Sequence, residues 1–154
     1  MDKGRLTWEQ NLERDAPELV GTLKDQRFAT AFASIEQAEA CEASGDFMTA
    51  RVAYMRAVES ITQFDTLTDG SVAKVVAEFK KAYQTFALER DPLFKKYLAA
   101  LLPVIKESPG ILQTELYTKT SVERSDVSYC LYFADAGGLV KREKKGRTYQ
   151  VTAV

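Results

Sequence analysis

The sequence predicts a mainly α fold, with a helical N-terminal region followed by two short helices and one small β-hairpin. Three observations carry this. Apolar residues recur at steps of three and four over most of residues 20–105, the period of a helix with one buried face. The pairs Gly45-Asp46, Asp69-Gly70 and Asp91-Pro92 interrupt that period with helix-stop and helix-start chemistry. Near the C-terminus the period changes to two, in Leu139–Arg142 and again in Thr148–Val151.

Residues 1–14 carry little periodicity; Leu6, Trp8 and Leu12 suit a short helix or an arm. Asp15-Ala16-Pro17-Glu18 reads as a helix start: a capping Asp, a first-turn Pro, and an acid near the positive end of the helix dipole. That helix is expected to run to about Ser44, with Val20, Leu23, Phe28, Ala31, Phe32, Ile35, Ala38 and Cys41 as its stripe. After Gly45-Asp46, a second helix carries Phe47, Ala50, Tyr54, Ala57, Val58, Ile61 and Phe64 on one face. Two long helices with so short a connection must pack antiparallel.

Thr68-Asp69-Gly70-Ser71 is a turn and cap. A third helix then carries Val72, Val75, Val76, Phe79, Tyr83 and Phe86. Asp91-Pro92 opens a fourth, with Phe94, Tyr97, Leu98, Leu101 and Ile105; Pro103 inside it predicts a kink or a restart. Ser108-Pro109-Gly110 ends it. The division this suggests is 1–91, a helical region for dimerisation or partner contact, and 92–154, the C-terminal module.

Composition narrows the function. Hydrophobic residues are 45% of the 154, enough for an ordinary globular interior. No apolar run is long enough to span a membrane, so no membrane association is expected. The start Met1-Asp2-Lys3-Gly4-Arg5 leads into no apolar stretch, so a signal peptide is not expected and a cytoplasmic location is. Cys41 and Cys130 fall on predicted buried helix faces without metal-type spacing, and read as small core residues. The sequence holds no histidine, the commonest general base and zinc ligand. Carboxylates sit at salt-bridge spacing along helices. No catalytic constellation is legible, so the chain is read as a non-enzyme, with no cofactor or metal implied.

Net charge is −1, but it is not spread evenly. Residues 139–154 hold Lys141, Arg142, Lys144, Lys145 and Arg147 against Glu143, a net +4, while residues 1–102 carry −3 and residues 103–138 carry −2. A local basic patch can bind phosphate although the whole chain is near neutral.

Two resemblances follow from these residues. Ala38, Gly45-Asp46-Phe47, Ala50, Tyr54 and Ala57 resemble one tetratricopeptide unit over about 25 residues, in which small residues let paired helices approach. Helical packing alone accounts for the same pattern, and a dimerisation surface or peptide groove stays open.

The second resemblance covers roughly residues 103–152. Gln113-Thr114-Glu115-Leu116, the pair Leu116 and Val127, the apolar series Val127, Leu131, Ala134 and Leu139, then Gly138 and the tip Lys144-Lys145-Gly146-Arg147, resemble a winged helix-turn-helix. The kind is that of bacterial MarR-like transcriptional regulators. The resemblance implies sequence-specific binding of double-stranded DNA, a regulatory role and a homodimer on paired half-sites.

On that reading Ser125 caps the recognition helix, and Arg124, Ser125, Ser128, Tyr129 and Tyr132 face the groove. Arg124 suits guanine O6 and N7, and the hydroxyls suit base edges or phosphates. Gln113 and Thr114, at a helix N-terminus, suit a phosphate. Lys141, Lys144, Lys145 and Arg147 suit backbone or minor-groove contact by the wing, whereas Arg142 can instead brace the hairpin through an ion pair. Glu123 and Asp126 beside Arg124 repel phosphate. A winged-helix adaptor that binds protein, with the N-terminal helices as a further partner surface, is the alternative.

Overall fold

The computed structural model describes Arg14 and residues 26–154. The helix start expected at Asp15, and Leu6, Trp8, Leu12, Val20 and Leu23, lie outside the described residues. The chain forms two compact units that divide between Tyr83 and Gln84, upstream of the Asp91 boundary expected from the sequence. Its elements are mainly helical, with a small antiparallel sheet near the C-terminus.

In the first unit, α1 (Gln26–Ala43) and α2 (Phe47–Leu67) form a hairpin. Gly45, at φ +85°, provides the left-handed turn, with Asp46 N–H donating to Cys41 O at 2.9 Å. Asp46 then caps α2 by accepting from Thr49 N at 3.2 Å. The two helices run antiparallel, as their ends show. The Phe28 ring near the start of α1 lies 5.2 Å from Phe64 near the end of α2, and the Tyr54 hydroxyl donates to Glu42 at 3.0 Å.

The expected stripe is the buried one. Phe28, Ala31, Phe32, Ile35 and Ala38 are buried from α1, with Ala50, Tyr54, Ala57, Ile61 and Phe64 from α2. Cys41 and Phe47 are half-buried. Helix α3 (Ala73–Thr85) adds Val75, Val76 and Phe79, whose ring meets Phe32 edge-on at 5.2 Å, and Tyr83 stacks on Tyr54. Asp65 ties the preceding turn by accepting from Val72 N at 2.9 Å.

The second unit begins at Gln84, just before a π-helical turn, Phe86–Arg90, that closes with Asp91 N–H donating to Phe86 O at 2.8 Å. Helix α4 (Pro92–Glu107) starts as expected, with Asp91 accepting from Leu93 N at 2.9 Å and Pro92 in the first turn. It runs through Pro103 without a restart. Next come β1 (Ile111–Leu112), α5 (Gln113–Lys119), α6 (Arg124–Ala136), β2 (Val140–Lys145) and β3 (Thr148–Ala153).

The predicted hairpin is β2–β3, in register from Val140↔Ala153 to Lys145↔Thr148. Its loop is Gly146-Arg147, with Gly146 at φ +61° supplying the tight hairpin turn. The two-residue β1 was not legible in the sequence. It pairs with the far strand, Ile111↔Val151, so the sheet order is β1-β3-β2. Helix α6 ends in a left-handed cap closed by two hydrogen bonds. Leu139 N–H donates to Ala134 O at 2.8 Å and Gly138 N–H to Asp135 O at 3.1 Å, with Gly138 at φ +75°.

Candidate nucleic-acid interface

The candidate surface is built outward from the buried face of α6. Leu116, Val127, Leu131 and Ala134 are fully buried, so the core of the turn between α5 and α6 is as the sequence implies. Leu139, read as the next member of that series, is 43% exposed; Val140 takes the inward place because the strand begins one residue later. The cap of α6 also differs. Glu123 stands at that position and no side chain caps the helix, so Ser125 lies inside the first turn.

With that face buried, α6 presents Arg124, Ser125 and Tyr132 outward, with Ser128 half-buried between them. Tyr132 is 57% exposed. Tyr129, expected among the groove-facing residues, is buried instead. Its hydroxyl donates to Asp91 Oδ2 at 2.7 Å, and its ring meets Phe94 and Phe133 edge-on. No local signal places Tyr129 inward, because its partner Asp91 is remote in the chain. Asp126, one of the two acids expected to repel phosphate, is buried, leaving Glu123 exposed.

Gln113, read as a phosphate contact, is buried and its amide serves a polar network. Nε2 donates to the Tyr117 hydroxyl at 3.0 Å and to Ser128 Oγ at 3.3 Å, while Oε1 accepts from Arg142 at 3.4 Å. Thr114 is exposed. Arg142 is the brace the sequence allowed. Its side chain is 10% exposed, and Nε lies 3.7 Å from Asp135 Oδ2, an ion pair too long for a hydrogen bond. The guanidinium lies over the Tyr149 ring at 4.3 Å and the Tyr132 ring at 5.8 Å. This stack ties the exposed face of α6 to the hairpin.

At the hairpin, Lys141, Lys144, Lys145 and Arg147 are all exposed. Lys141 pairs with Glu143 at 3.2 Å, which leaves the tip residues Lys144, Lys145 and Arg147 as the charge concentrated there. The sequence missed Tyr117 altogether. It is half-buried on α5, accepts from Gln113, and carries the Arg124 guanidinium over its ring at 5.0 Å.

Cys130 lies on the buried face of α6, where burial, with the charge of Asp91 added, pushes its thiol up to about 12. Among the described residues no group of three or more Cys, Asp or Glu is placed to hold a metal, and no helix is long and apolar enough to cross a membrane. No known protein family, curated protein or solved structure matches the chain.

Proposed function

We propose that the second unit is a winged helix-turn-helix that binds double-stranded DNA with sequence preference, as part of a transcriptional regulator. The observation that carries this reading is the order helix, β1, α5, α6, β2, β3 with sheet order β1-β3-β2. It joins one exposed helix face, through Arg142 and Tyr149, to a hairpin whose tip is basic. In that arrangement α6 enters the major groove with Arg124, Ser125, Ser128 and Tyr132, and Lys144, Lys145 and Arg147 meet phosphates. Tyr129 and Gln113 act behind this surface, holding it in place. One small unit makes limited contact, so a homodimer on paired half-sites fits the reading, with the N-terminal helices as the dimer or partner surface. A cytoplasmic location accords with that role.

The adaptor reading is favoured by one feature, the exposed Glu123 next to Arg124.

The test is binding to random-sequence duplex DNA across a salt series, with wild type beside a Lys144→Ala/Lys145→Ala/Arg147→Ala variant. Each phosphate contact contributes about 0.9 to the slope of log affinity against log salt, so the variant's slope is expected to be shallower by about 2–3. Absence of wild-type binding at low salt would sink the DNA reading and favour a protein partner.

A further inference from the structure

Tyr117 of the second unit is held through its hydroxyl as well as by packing. Tyr117 receives a hydrogen bond from Gln113 and lies 3.5 Å, hydroxyl to hydroxyl, from Ser128 on α6. Gln113 is itself buried and held from the other side by Arg142 of β2. The half-buried ring is therefore referenced to a second helix and to the hairpin. Over it lies the guanidinium of Arg124, the first residue of α6. Among the described residues Arg124 makes no ion pair.

A guanidinium stacked on an aromatic uses its face and leaves its edge N–H donors free. A stacked fork also loses less conformational freedom when a planar acceptor arrives. Guanine offers such an acceptor at N7 and O6 in the major groove. We propose that Tyr117 is a positioning residue that presents Arg124 edge-on to a guanine, so that this pair sets the preference at one base pair of the site. The proposal rests on the DNA reading. It separates Arg124 from Lys144, Lys145 and Arg147, which supply charge without a ring to hold them in orientation.

The experiment uses the full chain. Wild type selects duplexes from a random library, and affinity is then measured for the selected duplex and for copies in which each G·C pair is replaced by A·T. Wild type is expected to prefer G·C at least tenfold at one position. Arg124→Lys keeps the charge and loses the fork. Tyr117→Leu loses the ring, and Tyr117→Phe keeps it. The first two should reduce that preference at least threefold with the salt slope unchanged, and Tyr117→Phe, which keeps the ring but loses the bonds of its hydroxyl, should fall between Tyr117→Leu and wild type.

Free wild-type protein supplies a check that needs no variant: ring current from Tyr117 should shift the Arg124 Hδ protons upfield in the NMR spectrum. Uniform weakening across all duplexes in Arg124→Lys would make Arg124 a phosphate contact and overturn the proposal. So would unshifted Hδ protons. A wild type that binds no duplex in the salt series removes the DNA reading itself, whereas sequence-selective binding untouched by these variants removes only this inference.

Discussion

The two units are stabilised by different chemistry. The first is an apolar and aromatic assembly, in which Phe28, Phe32, Phe64 and Phe79 meet ring to ring and the helices need only their stripes to find one another. The second buries polar groups as well: Asp91, Gln113 and Asp126 are the buried polar or charged residues among the described ones, and all three lie in it. Charge divides the same way. Residues 1–83 hold 10 basic and 14 acidic groups, and residues 84–154 hold 11 basic and 8 acidic. Apolar stripes tolerate small shifts along a helix. Buried hydrogen-bonded groups do not, because a displaced partner leaves a polar atom unsatisfied. The second unit is thus suited to holding a surface in one geometry.

Four predictions bear on this comparison, from the largest effect to the smallest. Phe79→Ala removes a fully buried ring from the first unit and should cost about 3–5 kcal/mol, read by urea denaturation and by loss of amide protection in α1–α3. Asp91→Ala should cost about 2–3 kcal/mol in the same assay, because it removes the α4 cap and strands the buried Tyr129 hydroxyl. Asp91→Asn keeps an acceptor for the cap and should cost less. An Asp91→Ala cost above that of Phe79→Ala would reverse the ranking of apolar over polar packing.

Gly138→Ala meets no atom within 4 Å, so its cost is backbone strain at φ +75°, about 1 kcal/mol by thermal denaturation. The smallest effect is an absence of reaction. With its thiol pushed up to about 12 by burial and by Asp91, Cys130 should resist alkylation at pH 8 in the native protein. Native protein should take label at half-buried Cys41 alone, and denatured protein at both cysteines. Native labelling of Cys130 would mean that the core behind α6 opens readily.

Much of the fold was legible because the signals are local. Gly45-Asp46, Asp91-Pro92 and Gly138 each act within a turn of their own position, and the Phe28–Ala38 stripe needs only the helical period. The candidate site was legible in part. Its exposed basic tip followed from alternation and charge, and Arg124 from its place at a helix start. Tyr129 and Gln113 are not legible as buried, because both carry polar groups that read as surface and Tyr129's partner Asp91, like Gln113's partners Ser128 and Arg142, lies elsewhere in the fold. Ser125 suits a cap because serine is a good one, but the helix starts two residues before the start such a cap would set, with Glu123 at the cap position.

What the sequence determined by itself was the mainly α class, the helix boundaries at Asp46 and Asp91, and the basic hairpin; all are set by backbone preferences and periodicity over a few residues. Only the tertiary structure decided the β1–β3 pairing, the burial of Tyr129 against Asp91, and the Gln113–Tyr117–Ser128–Arg142 network. The physical reason is that each depends on a partner brought near by folding: Ile111 on Val151, Tyr129 on Asp91, Gln113 on Arg142. A polar side chain's preference for water or interior is not a property of the residue alone but of whether such a partner is waiting for it.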